Sequence, residues 1–265
     1  MSSQDQGTSR ARWWSLALVS FLIGLIALAP AVLIEKAAAQ GPNARLTFAA
    51  DSGTVWSGRG RFAIAAATGP VIIPLTWRFD PVSLFGFRVG FFVEADAPSL
   101  IGRTHIGVRP GEFELRNTSL SLDAGMLLMA HAAAALLVPA GKVGLQQSAD
   151  ERLNLWPPAS ENEPWRVEGA MGVSAAQLVL GGIVNAPVGS HELSLRGEGL
   201  TVNFAVTRST GPLKLEGSGK LVLNTPRRLT FSGFATAATD APASLKQLGP
   251  VLADGRQRVE LNTGW

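Results

Sequence analysis

The chain has 265 residues, 46% of them hydrophobic and 16% charged, with 29 Gly, 16 Pro, no Cys and no Tyr. That length can bury a core without cross-links, and the lack of cysteine excludes disulfide frameworks, zinc ribbons, iron–sulfur clusters and thiol nucleophiles. The formal charge is only +3. The pI of about 9.8 follows because almost nothing titrates between the three His and the Lys residues; with no basic run interleaved with aromatics, a nucleic-acid partner is not expected.

Residues 1–12 form a short polar tail. From Trp13 to Ile34 the chain reads WWSLALVSFLIGLIALAPAVLI, 22 residues without a charge. At about 1.5 Å per residue such a helix spans the roughly 30 Å core of a bilayer. Arg10 and Arg12 precede it, Trp13 and Trp14 stand where indoles anchor at headgroup level, and Glu35 and Lys36 cancel beyond it. The positive-inside rule then places the N-terminus in the cytoplasm and residues 41–265 outside it. A cleaved signal peptide is the competing reading, because Ala37-Ala38-Ala39 before Gln40 fits a small-residue cleavage site. The apolar run exceeds the roughly 7–15 residues of a signal-peptide core, which favours an uncleaved anchor. Pro30 could end the helix early and shorten the span.

After Gln40 the pattern becomes short alternating runs punctuated by Gly and Pro, the signature of β-structure. Val71–Phe79 and Val89–Val93 are more continuously apolar and read as strands in the middle of a sheet. Glu112–Leu122, His191–Glu198, Leu213–Leu223 and Arg256–Leu261 alternate, with one buried and one wet face. Two helices are expected among them. The first is Gly125–Val138, capped by Asp123 and stopped by Pro139; it is too short to span a membrane and reads as a buried helix on the sheet rather than a re-entrant segment. The second is Pro242–Leu252. Ser148–Pro164 reads as a long turn or linker and marks a possible break between two parts. The expected fold is mainly β: a transmembrane helix, then a curved antiparallel sheet with one or two short covering helices.

No catalytic residue is indicated. His105, His131 and His191 fall on separate elements without metal-ligand spacing, so no metal or other cofactor is expected. Gly58-Arg59-Gly60 and Gly217-Ser218-Gly219 lack the third glycine and the strand-to-helix context of a phosphate cradle. Glu192 and Glu198 share a strand face with Arg196 and read as a solvated ladder.

Two aromatic elements stand out: Gly53-Thr54-Val55-Trp56-Ser57-Gly58, and Pro74-Leu75-Thr76-Trp77-Arg78-Phe79-Asp80-Pro81. Following closely on a single N-terminal anchor, they resemble the type II secretion system protein N family, in which a G-T-[LV]-W-x-G element precedes an L-x-W-x-x-x-P element. The Ala/Leu stretch ending at Pro139, the PWRVEG run (Pro164–Gly169) and the terminal LGPVLADGRQRVEL (Leu248–Leu261) also look similar. The resemblance implies a structural subunit of the bacterial inner membrane with a periplasmic domain, whose partners are other secretion-system subunits. It singles out Gly53, Thr54, Trp56, Gly58, Trp77 and Pro81 as fold-defining or docking residues. The rival expectation is a lipid-handling groove of the kind in AsmA-like or lipopolysaccharide-transport proteins, distinguished by whether an open apolar trough remains.

Overall fold

The alternation read from residue 46 onward becomes one antiparallel sheet. The computed structural model describes residues 28–39, 46–64, 70–126, 140–158, 160, 163–179, 187–247 and 249–264, with 18, 20, 21, 24 and 25 before them. A short helix α1 (Val32–Ala39) leads into fourteen strands: β1 (Leu46–Gly53), β2 (Ser57–Ile64), β3 (Val71–Asp80), β4 (Val89–Ala97), β5 (Leu100–Arg109), β6 (Glu112–Asp123), β7 (Ala140–Gln146), β8 (Arg152–Trp156), β9 (Arg166–Val179), β10 (Ser190–Gly199), β11 (Thr201–Thr210), β12 (Leu213–Val222), β13 (Arg228–Ala237) and β14 (Gln257–Gly264). Every expected strand is present.

Each strand pairs with its neighbours in chain order, except that β7 and β8 share the place between β6 and β9. The stretch expected as a linker thus contributes β8. Where β7 stops, the backbone is sealed by one side chain. Gln147 donates from Nε2 to the carbonyls of Leu115 and Ala170, both at 3.3 Å, while its Oε1 accepts from the Thr118 N–H at 3.3 Å. The amide satisfies polar groups that a continuous strand would have paired, which matters because a buried unsatisfied group costs about 1–3 kcal/mol.

The register shifts between Arg103 and His105 where β6 carries an extra residue, and between Ala140 and Lys142 where β9 carries one. Asn117 and Gln177 take up positive φ there, 48° and 53°. Such bulges re-aim the strand and increase its twist.

One sheet face carries the apolar side chains, including Leu75, Trp77, Phe91, Val93, Leu195, Phe204 and Phe231. A buried cluster forms at one corner, where Val188, Leu213, Ala235, Ala241 and Leu245 meet. Leu245 reaches it from a 3-10 helix at Ala243–Gln247, much shorter than the Pro242–Leu252 helix expected. The reason is local: beyond it Gly249 lies against the Arg258 backbone, and the Pro250 carbonyl accepts from the Arg258 N–H at 3.0 Å. Of the other expected helix, Asp123 Oδ1 does accept from the Gly125 N–H at 2.9 Å; residues 127–139 lie outside the described residues.

The N-terminal stretch departs from one helix running to Ile34. Residues 18, 20, 21, 24 and 25 are helical, but a turn follows at Leu28 and Pro30 forms a bridge with Thr54 before α1 begins. Proline has no N–H to continue a helix and clashes with the preceding turn. Among the described residues no helix is long and apolar enough to cross a membrane.

Candidate functional site

The Gly53–Gly58 element is the tight connection from β1 to β2, and it is built from the backbone outward. Gly53 adopts φ of 102°, and a Cβ there would come within 2.5 Å of the Gly58 Cα. Only glycine takes that conformation without strain. Thr54 then orders the turn: its Oγ1 accepts from the N–H groups of Trp56 at 3.2 Å and Ser57 at 3.3 Å. The Trp56 carbonyl accepts from the Phe79 N–H at 2.6 Å, and the two rings meet edge to face at 4.8 Å.

Trp77 closes the arrangement from β3. It stands directly opposite Gly58, and its ring lies where a Cβ at Gly58 would be, 2.5 Å away. Its indole N–H donates to the Thr54 carbonyl at 3.2 Å, Phe48 meets the ring at 5.6 Å, and only 7% of the residue is exposed. Tryptophan suits this place because it fills the space over glycine and carries a donor for the turn.

The turn also holds a second piece of chain. Ala31 donates to the Gly53 carbonyl at 3.2 Å, and Val55 donates to the Ala29 carbonyl at 2.9 Å. Glu35 on α1 extends the contact, accepting from the Ala50 N–H at 3.2 Å. Gly53, Thr54, Trp56, Gly58 and Trp77 therefore act together as a clasp on residues 29–31, near the C-terminal end of the N-terminal apolar run. Arg10, Arg12, Trp13 and Trp14 lie outside the described residues. Pro81 is separate from the clasp: it opens a 3-10 helix at Pro81–Gly86, behind the Asp80 cap.

The matched sequence is long enough to decide the family: the model for type II secretion system protein N matches residues 44–260. The chain belongs to that family. No curated protein and no solved structure matches it. As a family member the chain is a component of type II secretion and of protein transport, and the glycine–tryptophan clasp lies within the matched region.

A polar cluster on the opposite sheet face was not foreseen from the sequence. Glu114, 2% exposed, is ion-paired to Arg88 and to Arg116 at 2.7 Å, with Arg152 at 3.9 Å. Arg88 also bonds Glu112 at 3.0 Å. Beside them His105 Nε2 meets Asp80 Oδ2 at 2.9 Å. The cluster fastens the 81–88 connection onto β5 and β6, and the surrounding guanidinium groups compensate the buried carboxylate. The clue in the sequence was Asp80-Pro81, a cap residue followed by proline at a first helical position. His105 and His191 stay on separate elements, and Glu198 accepts from Asn203 at 3.1 Å as part of an exposed face.

Proposed function

We propose that the chain is an inner-membrane-anchored, periplasmic subunit of the secretion machine that acts structurally, without turnover. The carrying observation is the clasp. Backbone bonds between the Gly53–Val55 turn and Ala29 and Ala31 tie the C-terminal end of the apolar run to the sheet. An anchor released after Ala39 would take those bonds with it, so the arrangement favours the uncleaved reading. Docking has a suitable place along residues 259–264 of β14, the last strand of the sheet beyond its bridge to Val251, because an edge can accept a partner's strand through backbone hydrogen bonds.

Deletion of the gene in the host bacterium is the direct test. Folded exoproteins should accumulate in the periplasm, and the full-length chain should restore their export. Normal export in the deletion strain would overturn the proposal. The lipid-handling alternative draws on the half-buried apolar side chains of the sheet face, such as Leu75 and Val93. It predicts a lipid that stays with the chain in native mass spectrometry after detergent is removed.

A further inference from the structure

The connection from β3 to β4 presents apolar side chains to solvent in an ordered way. Val82, Leu84, Phe85 and Phe87 are 68%, 53%, 89% and 89% exposed. Single exposed hydrophobics are ordinary on protein surfaces, but a cluster in one short turn marks an interaction site. The turn is also firmly held. Asp80 Oδ1 accepts from the Val82 N–H at 3.0 Å, Ser83 donates to the Asp80 carbonyl at 2.6 Å, and Phe87 and Arg88 donate back to Leu84 and Ser83 at 2.9 and 3.2 Å. Arg109, half-buried, donates to the carbonyls of Gly86 and Phe87. Phe87 has φ of 54°, a left-handed conformation unusual for an aromatic residue. The backbone is fixed, and the side chains it fixes point away from the protein.

The position of this turn identifies what it meets. Phe79, at the end of β3, donates to Trp56, and the turn containing Trp56 grips Ala29 and Ala31. The exposed cluster and the entry of the N-terminal apolar segment therefore lie at the same end of neighbouring strands, which are about 4.8 Å apart. That segment is itself apolar and exposed at Leu18, Phe21, Leu25 and Leu28. We infer that the 81–87 turn is a second membrane contact: its phenylalanines insert into the headgroup and outer acyl region of the bilayer that holds the N-terminal segment, with Arg109 facing anionic headgroups. The inference rests on the anchor reading above. Its chemistry is that of an interfacial apolar wedge, which typically sits about 5–10 Å into the boundary. Two points of attachment would fix the tilt of the sheet relative to the membrane.

The absence of cysteine makes the test clean. Full-length chain carrying Phe85→Cys, Leu25→Cys or Asp240→Cys is labelled with an environment-sensitive fluorophore. Each is reconstituted into phosphatidylethanolamine–phosphatidylglycerol vesicles with or without spin-labelled lipid. Quenching at 25 and 85, with none at 240 on the opposite end of the strands, is the expected result. Quenching at 25 alone overturns the second contact and leaves the anchor standing. Quenching at 85 alone supports the contact and removes the anchor, and no quenching at either site overturns both.

Discussion

The same packing device occurs near both ends of the sheet, and the difference between its two versions explains the tryptophan. On β2, Gly58 and Gly60 leave room for Trp77 from β3 and Phe48 from β1. On β12, Gly217 and Gly219 leave room for Phe231 from β13 and Phe204 from β11. In each case a Gly-x-Gly pair accepts an aromatic ring from the strand before it and another from the strand after it. The two phenylalanines near the C-terminus stack at 6.1 Å and serve only to pack strands. At the N-terminal site the ring also donates to Thr54, in a turn that grips Ala29 and Ala31. A phenylalanine would fill the space there but could not tie the turn. The general device holds the sheet; its polar variant joins the sheet to the N-terminal apolar segment.

Truncating the rings should separate the two sites most strongly. Trp77→Ala is expected to cost about 3–5 kcal/mol, as for a buried aromatic. Phe231→Ala, at a half-buried place, should cost less. Urea unfolding of the full chain in detergent measures both, and equal losses would break the distinction. Filling the space instead should cost about 1–3 kcal/mol by overpacking. Gly58→Ala and Gly219→Ala should behave alike in that experiment, since both place a Cβ against a ring.

Thr54→Val removes the acceptor for two backbone N–H groups and should cost about 1 kcal/mol. Its sharper signature is local. Protease cleavage near residues 28–40 should accelerate while the β12 region remains resistant. Smallest is a pH effect confined to the C-terminal part. Burial holds the His191 imidazole below its ordinary value, and Ser209 is its hydrogen-bond partner at 2.8 Å. The unfolded chain takes up a proton as pH falls through about 6.5 while the folded chain resists. Stability should therefore be level above that pH and decline below it, and His191→Gln should flatten the decline in thermal unfolding scans.

The strands were legible because their period-2 alternation reports a sheet with one apolar face, and Leu213–Leu223 and Glu112–Leu122 each lie almost wholly on one strand. The Gly-x-Gly pairs lack the context of a phosphate cradle, but nothing local in the sequence reveals their positive role. It depends on register, which puts Trp77 opposite Gly58 across nineteen positions of chain, and no local pattern reports it. The interruption at Pro30 was signalled by the residue itself. What could not be read was its partner, since the bridge to Thr54 is tertiary. The Glu114 cluster was invisible for the same reason: its arginines come from the β3–β4 connection, β6 and β8, three separate places in the chain.

The central claim is that the clasp makes the N-terminal segment and the sheet one unit. Amide hydrogen exchange of the full chain in lipid nanodiscs tests it at Ala31 and Val55, whose N–H groups bond across the clasp. The account predicts protection at both comparable to that of the β2 and β3 amides, lost together in Trp77→Ala. Exchange at Ala31 and Val55 as fast as in an unstructured peptide, with β2 and β3 still protected, would contradict it.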